Sequence, residues 1–265
     1  MELAPPAPVE LPAEPPATWL LDLDGVVWRG DRPIPGSPEG ISRLRDRGAR
    51  VGFCTNNSSL TLHDYRQKLT DLGIEVQPHE ILTSAVAVAG ALRPGERVHL
   101  CAGPGVLEAV EAAGATRVPP GEPADTVIVG FHRDFDYEAM TLACRTVWDG
   151  ARLLATNDDP RYPSDSGPAP GCGAILASIE RATGHRAEIA GKPHPPMVAL
   201  VRERFGPDGI VVGDTPATDG ALASALGWPF ALVATGNTDE HTSLEHAPAL
   251  RAADLAEVVA TLLDR

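Results

Sequence analysis

Short apolar runs alternate along this chain with helix-length segments, and that alternation restricts the fold more than any other feature. The first run, residues 18–23, ends abruptly in Asp22-Leu23-Asp24-Gly25. A helix is signalled next, with Ser37 as N-cap, Pro38 at the first helical position and Gly48 just past its end. A second buried-strand run, 51–55, closes in Thr55-Asn56-Asn57-Ser58. The helix after it, 61–72, opens with Thr61 and Asp64 spaced as a capping box and stops at Gly73. Buried strands joined by helices pack as an α/β fold, a parallel sheet covered on both faces.

The pattern continues over 83–186 with strands at Arg97–Cys101, 126–130 and 152–156. Helices are expected there at 84–92, 105–113, Tyr137–Trp148 and 173–183. Roughly 100 residues suffice for an independent α/β domain. The chain then offers a strand at 187–190, a helix at Pro195–Phe205 and a strand at 209–212 that leads into Asp214. A helix at 219–226, a strand at 229–233 and a last helix capped by Asp254 complete it, with no fixed-period repeat. The expected organisation is a core formed by 18–82 and 187–265, interrupted by an inserted domain, 83–186. Residues 1–17 form a Pro-rich lead-in, expected to be disordered because it lacks the apolar surface to offset its ordering entropy.

Composition removes several classes of function. A net charge of −14 without clusters of Lys and Arg argues against a nucleic acid polymer as partner. A small phosphorylated molecule remains compatible, since one metal ion and one lysine set the potential of a pocket. No apolar run approaches the roughly 18 to 20 residues that cross a bilayer, so no membrane is expected as partner. The start of the chain lacks the basic and apolar regions of a secretory signal. Cys54, Cys101, Cys144 and Cys172 are scattered without metal-ligand spacing, as for buried thiols in a reducing cytoplasm.

The strand ends carry the chemistry. Side chains just beyond the carboxyl ends of parallel strands line the crevice where ligands bind. Asp22 and Asp24, Thr55 and Asn56, and Asp214 all fall at such ends, and Lys192 lies between them in sequence. A phosphate monoester is doubly anionic, so a carboxylate attacking it needs a cation to cancel the repulsion. Mg²⁺ takes about six hard oxygens, usually one or two carboxylates with waters and substrate phosphate; Asp22, Asp214 and a backbone carbonyl near Asp24 are the natural protein ligands. A carboxylate nucleophile yields an aspartyl-phosphate that water later opens. Asp24, two residues on in an extended strand, returns to the face of Asp22. There a raised pKa would let it protonate the leaving group and then deprotonate the water. Thr55 and the Asn56 backbone and side chain offer donors to phosphate oxygens at a strand-to-helix turn. Lys192 offers a point charge.

These residues resemble a known set of motifs. Asp22-Leu23-Asp24-Gly25-Val26-Val27-Trp28 is similar to the first motif of the haloacid dehalogenase superfamily phosphatases, and Thr55-Asn56-Asn57-Ser58 to their second. Gly191-Lys192-Pro193 resembles the third, and Gly213-Asp214 with Thr218-Asp219 the fourth. The inserted Ala155-Thr156-Asn157-Asp158 and Pro170-Gly171-Cys172-Gly173 resemble the cap of the branch that holds NagD-type, p-nitrophenyl, pyridoxal phosphate and phosphoglycolate or glycerol-3-phosphate phosphatases. The resemblance spans nearly all of the chain from residue 18. It implies a Rossmann-like core with an inserted α/β cap of the C2 type closing over the site. It further implies a Mg²⁺-dependent phosphatase acting on a small phosphorylated metabolite. By this resemblance Asp22 is the nucleophile, Asp24 the general acid and base, and Asp22, Asp24 (through its carbonyl) and Asp214 the metal ligands. Thr55, Asn56, Asn57 and Lys192 match phosphate and substrate binders. Tyr162 lies in the cap loop where some members place a substrate-contacting histidine, and a homodimer joined through the cap occurs among relatives.

Plainer readings stand beside these. Asp-Gly is a frequent turn dipeptide, yet two carboxylates on one face of a buried strand are costly without a cation. Asn56 and Asn57 also suit a loop. Asp219 either caps the helix that follows or supports the site by holding metal-bound water or Lys192. Tyr162 serves either cap packing or substrate contact. Two functional alternatives remain: a metal-independent haloacid dehalogenase, which needs neither Asp24 nor Asp214, and a non-catalytic phospholigand binder or phospho-acceptor.

Overall fold

The computed structural model describes residues 9–164, 167–236 and 246–264. The chain divides into two compact units, the first drawn from 1–55, 66–82 and 198–265 and the second from 56–65 and 83–197.

The first unit is built on a six-stranded sheet in the order Leu250–Ala252, Phe230–Val233, Ile210–Gly213, Thr18–Leu21, Arg50–Thr55, Ile81–Thr83. The Thr18–Leu21 strand sits in the interior of the sheet, and Trp19, Leu20 and Leu21 are fully buried. Such a strand, covered on both faces, needs an unbroken apolar run rather than an alternating one. Leu21 lies opposite Val212 on one side and Phe53 on the other, both strands running parallel to it. The chain first extends the sheet on the Phe53 side and later returns to build the Val212 side. Thr18–Leu21 is therefore the topological switch point, beside which loops diverge at the carboxyl edge and leave a crevice.

The lead-in is described from residue 9; residues 1–8 lie outside the described residues. Residues 9–17 carry no regular element, and the end of this stretch is tied down. The Trp19 indole donates to the Pro16 carbonyl at 2.8 Å, and the Arg50 amide to that of Ala17 at 2.9 Å.

Helix ends agree with the sequence at two places and depart at a third. Asp254 caps Leu255–Leu263 by accepting from the Glu257 amide at 2.9 Å. Thr61 and Asp64 form the reciprocal pair expected of them, each side chain accepting from the other's amide at 3.1 Å. The Thr61 hydroxyl, donating to Asp64 Oδ2 at 2.6 Å, and after it the Thr61 amide hold the Asp64 carboxyl below its ordinary value. Ser37 is not the N-cap that its place before Pro38 implies. Gly36, at φ 81°, takes that position, and the buried Ser37 hydroxyl donates instead to the Val26 carbonyl at 2.8 Å. That buried carbonyl, in the loop after the first strand, gains a partner by it.

The second unit holds a five-stranded parallel sheet in the order Glu188–Ile189, Arg152–Ala155, Thr126–Val129, Arg97–Cys101, Thr116–Arg117. Glu188 and Ile189 pair with Leu154 and Ala155, so residues expected to begin the returning core supply an edge strand here. Val127, Val129, Leu153, Leu176 and Ile179 pack with Cys101, Cys144 and Cys172 in one core cluster. An antiparallel hairpin, Arg161–Ser164 with Gly167–Pro170, has no counterpart among the expected elements. Among the described residues, no helix is long and apolar enough to cross a membrane.

None of the four cysteines is in a disulfide, and all are buried. Burial pushes the Cys101 thiol up to about 12 and that of Cys172 to about 11, and it raises that of Cys144. The thiolate is the reactive form. The folded protein is therefore expected to give no rapid reaction with an aromatic disulfide reagent at pH 8, and four equivalents after denaturation. A fast-reacting thiol in the native protein would contradict this burial.

Candidate active site

In the first unit, three acids meet at the carboxyl edge of the sheet. Asp22 is the first residue beyond Thr18–Leu21, and its amide continues the ladder by donating to the Val212 carbonyl at 2.9 Å. Asp214 follows Ile210–Gly213 directly. Asp219 is brought back to it by a single π-helical turn, Pro216–Gly220. One carboxylate oxygen from each of Asp22, Asp214 and Asp219 lies within 4.8 Å of the others. The three residues are only 8%, 3% and 1% exposed.

Local bonds fix this group. The Asp219 amide donates to the Thr215 carbonyl at 2.8 Å, and Asp219 Oδ2 accepts from the Thr215 amide at 3.1 Å. The Thr215 hydroxyl donates to Asp214 Oδ1 at 2.9 Å. Two glycines give the carboxylates room. A Cβ on Gly213 would stand 2.2 Å from Asp219 Cγ. One on Gly25, whose φ is +85°, would stand 2.6 Å from Asp214 Oδ2. The helix-cap reading of Asp219 is overturned: Gly220 is the N-cap of Ala221–Leu226, and no side chain caps that end.

Three buried carboxylates this close repel strongly when ionised, and a cation among them removes the penalty. Their donors are all hard oxygens, which suits a divalent ion of the Mg²⁺ or Ca²⁺ type over a thiolate- or imidazole-seeking metal. The cluster is able to coordinate a divalent cation.

Asp24 bonds through its side chain within its own turn. Its Oδ1 accepts from the Trp28 indole at 3.0 Å. Trp28 is itself 1% exposed, and Lys68 Nζ lies 4.4 Å from its ring centroid. Lys68 also donates to the Gly30 carbonyl at 2.7 Å. The sequence marks Trp28 only as the end of a motif. Its role as a donor to Asp24 follows from the turn 24–28, where Asp24 and Trp28 form an isolated bridge.

Thr55 closes the strand Arg50–Thr55 and is 2% exposed. The residues next to it belong to the second unit, where Asn56 and Lys192 are joined. Asn56 Oδ1 accepts from the Lys192 amide at 2.7 Å, and Asn56 Nδ2 donates to the Lys192 carbonyl at 3.1 Å. The Asn56 carbonyl accepts from the Ser84 hydroxyl at 2.5 Å and from Asn157 Nδ2 at 2.7 Å. Lys192 is 3% exposed. Asn57 Oδ1 accepts from the Ser59 amide and hydroxyl at 3.0 and 2.7 Å, an Asx turn. The side-chain oxygens of Asn56 and Asn57 thus build the loop. The backbone of Tyr162 pairs with Ala169 in the hairpin; its side chain lies outside the described residues.

A doubly wound parallel sheet with a buried acid triad beside its switch point, and an α/β insertion after the strand Ile81–Thr83, fits a class: hydrolases acting on phosphate esters. The comparisons with known proteins narrow it. A model of haloacid dehalogenase-like hydrolases matches residues 19–116, and a second, HAD-hydrolase-like model matches 189–258. The chain is 34% identical to a glycerol-3-phosphate phosphatase of Gallus gallus over 248 residues, 83% of this chain and 80% of that one. The structure resembles a p-nitrophenyl phosphatase from Archaeoglobus fulgidus with a TM-score of 0.87 at 30% identity, covering 94% of this chain and all of the other. It also resembles a glycerol phosphate phosphatase from Mycobacterium tuberculosis in complex with magnesium, with a TM-score of 0.84 at 30% identity over 92% of this chain and 76% of that one. The chain belongs to the haloacid dehalogenase superfamily, in its NagD and p-nitrophenylphosphatase-like branch, and is a phosphatase of that type with an α/β cap domain.

Proposed function

We propose that this protein hydrolyses a small phosphate monoester in two in-line steps through phospho-Asp22, with Mg²⁺ held by Asp22, Asp214 and the Asp24 carbonyl. The observation that carries the reading is the group of three buried carboxylates beside the first strand. When bound, the ion neutralises charge on the phosphoryl oxygens and on Asp22.

The chain's own residues do the rest. An Asp22 carboxylate oxygen attacks phosphorus as the bond to the leaving oxygen breaks, and Asp24 passes its proton to that oxygen. Asp24 then takes a proton from water, which attacks phosphorus and releases inorganic phosphate and free Asp22. The Trp28 indole can only donate, so Asp24 Oδ1 is an acceptor and the transferable proton belongs on Oδ2. Thr55 and Lys192 bind phosphoryl oxygens, the lysine as a point charge. Asp219 holds Asp214 in place through the Thr215 turn. Four buried thiols outside any disulfide suit a reducing compartment such as the cytoplasm.

The substrate class proposed is a metabolite of a few carbons: glycerol or sugar phosphate, phosphoglycolate, nucleotide or pyridoxal phosphate. Release of phosphate from such a panel, with Mg²⁺ and with chelator, tests the reading. Multiple turnovers with Mg²⁺ alone support it; one phosphate retained per chain, or chloride released from haloacids without metal, would overturn it.

Trp28→Phe removes the donor to Asp24 and keeps an aromatic ring beneath Lys68. Turnover of p-nitrophenyl phosphate is expected to fall about tenfold, the worth of one hydrogen bond to a charged group. KM for the ester should change far less, because Asp24 handles protons and not substrate binding. An unchanged turnover number would remove Trp28 from the site.

A further inference from the structure

The polar atoms of the Asn56 side chain leave no ambiguity about its orientation. The Lys192 amide can only donate, so it faces Oδ1; the Lys192 carbonyl and the Asp159 carboxylate can only accept, so they face Nδ2. Nδ2 reaches Asp159 Oδ2 at 3.0 Å and Oδ1 at 3.3 Å, besides the Lys192 carbonyl at 3.1 Å. Both hydrogens of the amide and its oxygen are therefore in use inside the second unit. Asn56 grips the main chain of Lys192 at both its amide and its carbonyl, as a strand partner would. The third bond, to Asp159, uses the remaining amide hydrogen and further fixes the amide plane.

Asp159 itself is fixed. It is half-buried, and its amide donates to Asn157 Oδ1 at 3.2 Å. Asn157 in turn donates to the Asn56 carbonyl at 2.7 Å. A closed circuit runs from Asn56 through Asp159 and Asn157 and back to Asn56, with Lys192 clamped on it. A Cβ on Gly191 would stand 2.5 Å from Asn56 Oδ1, so the approach of these segments is as close as the backbone allows.

We propose that Asp159 is a positioning residue of the phosphatase reaction, which orients the Asn56 amide and through it fixes the Lys192 main chain. The inference rests on the proposed role of Lys192 at the phosphoryl group. Asp158, the residue before it, makes a long and half-exposed contact of 3.4 Å with His194 Nε2, which holds the Asp158 carboxyl below its ordinary value. It serves as an internal control on the same loop.

A double-mutant cycle on kcat/KM for p-nitrophenyl phosphate with Mg²⁺ tests this, using Asp159→Ala, Lys192→Met and the pair. Asp159→Ala is expected to lower kcat/KM by about 10- to 100-fold, as loss of an outer-shell partner does. Asp158→Ala should stay within about twofold. The pair should be no worse than Lys192→Met alone, because Asp159 acts through that lysine. Two independent losses that multiply would overturn the proposal, since a merely structural role weakens any background alike. Asp159→Asn keeps an oxygen that accepts from Asn56 and is expected to recover most of the activity; if Asp159→Ala does not fold, this variant carries the test, and a loss as large as that of Lys192→Met would count against it. Full activity in Lys192→Met would defeat the reading of the lysine, whereas an inactive Lys192→Met beside a fully active Asp159→Ala would defeat the present inference alone.

Discussion

Replacement of Asp22 by asparagine is expected to end turnover, with kcat lowered on the order of 10⁴-fold or more, as for removal of a nucleophile. The exchange is nearly isosteric. It also spares the sheet, because the bond from this position to the Val212 carbonyl uses the main chain. Melting temperature and far-UV spectrum should thus remain close to wild type while phosphate release vanishes. An amide oxygen is a poor nucleophile toward a phosphorus centre and carries no charge for the metal. Retention of even a tenth of the activity would show that a group other than Asp22 attacks phosphorus.

Removal of the divalent ion is expected to cost stability as well as activity. At an ion concentration about 100 times its Kd, binding to the folded state adds about 2.7 kcal/mol. For a chain of this length each kcal/mol moves Tm by roughly 2 to 4 °C, so chelation should lower Tm by about 5 to 10 °C. Asp214→Asn should abolish most of that difference. In chelator the variant should melt above the wild type, because one of three mutually repelling carboxylates within 4.8 Å has lost its charge. The Thr215 hydroxyl keeps an acceptor in the amide oxygen, so its bond of 2.9 Å is preserved. A Tm that ignores chelator in the wild type would remove the metal from the acid cluster, whatever the activity assay reports.

Much of this is legible in the order of residues. The apolar run before Asp22 has to be a buried strand, and its two acids have to face a crevice or a cation. Asp214 is placed by the same reasoning at the end of its own strand. Asp254 and the Thr61–Asp64 pair announce their helix ends because capping is a matter of three or four adjacent residues. Ser37 misleads for the same local reason: a serine before a proline reads as a cap, until a carbonyl eleven residues earlier takes its hydroxyl. Asp219 is ambiguous between a cap and a site residue in sequence; the π-helical turn returns it to Asp214, and it does not cap the helix that follows.

Other features depend on segments far apart along the chain. Asn56 and Lys192 are separated by 136 residues, and Asn56 and Asp159 by 103; neither pairing has a periodic or compositional signal. The alternating α/β order, the strand-end acids and the class of chemistry they permit are each written in contiguous residues, and for that reason they can be read without a fold. Packing was needed to show that Asn56 spends its amide on the lysine's main chain, that Trp28 orients Asp24, and that Asp219 joins the acid group. Hydrogen bonds and carboxylate clusters are set by where backbones converge in space, and convergence is a property of the packed chain, not of any one segment of it.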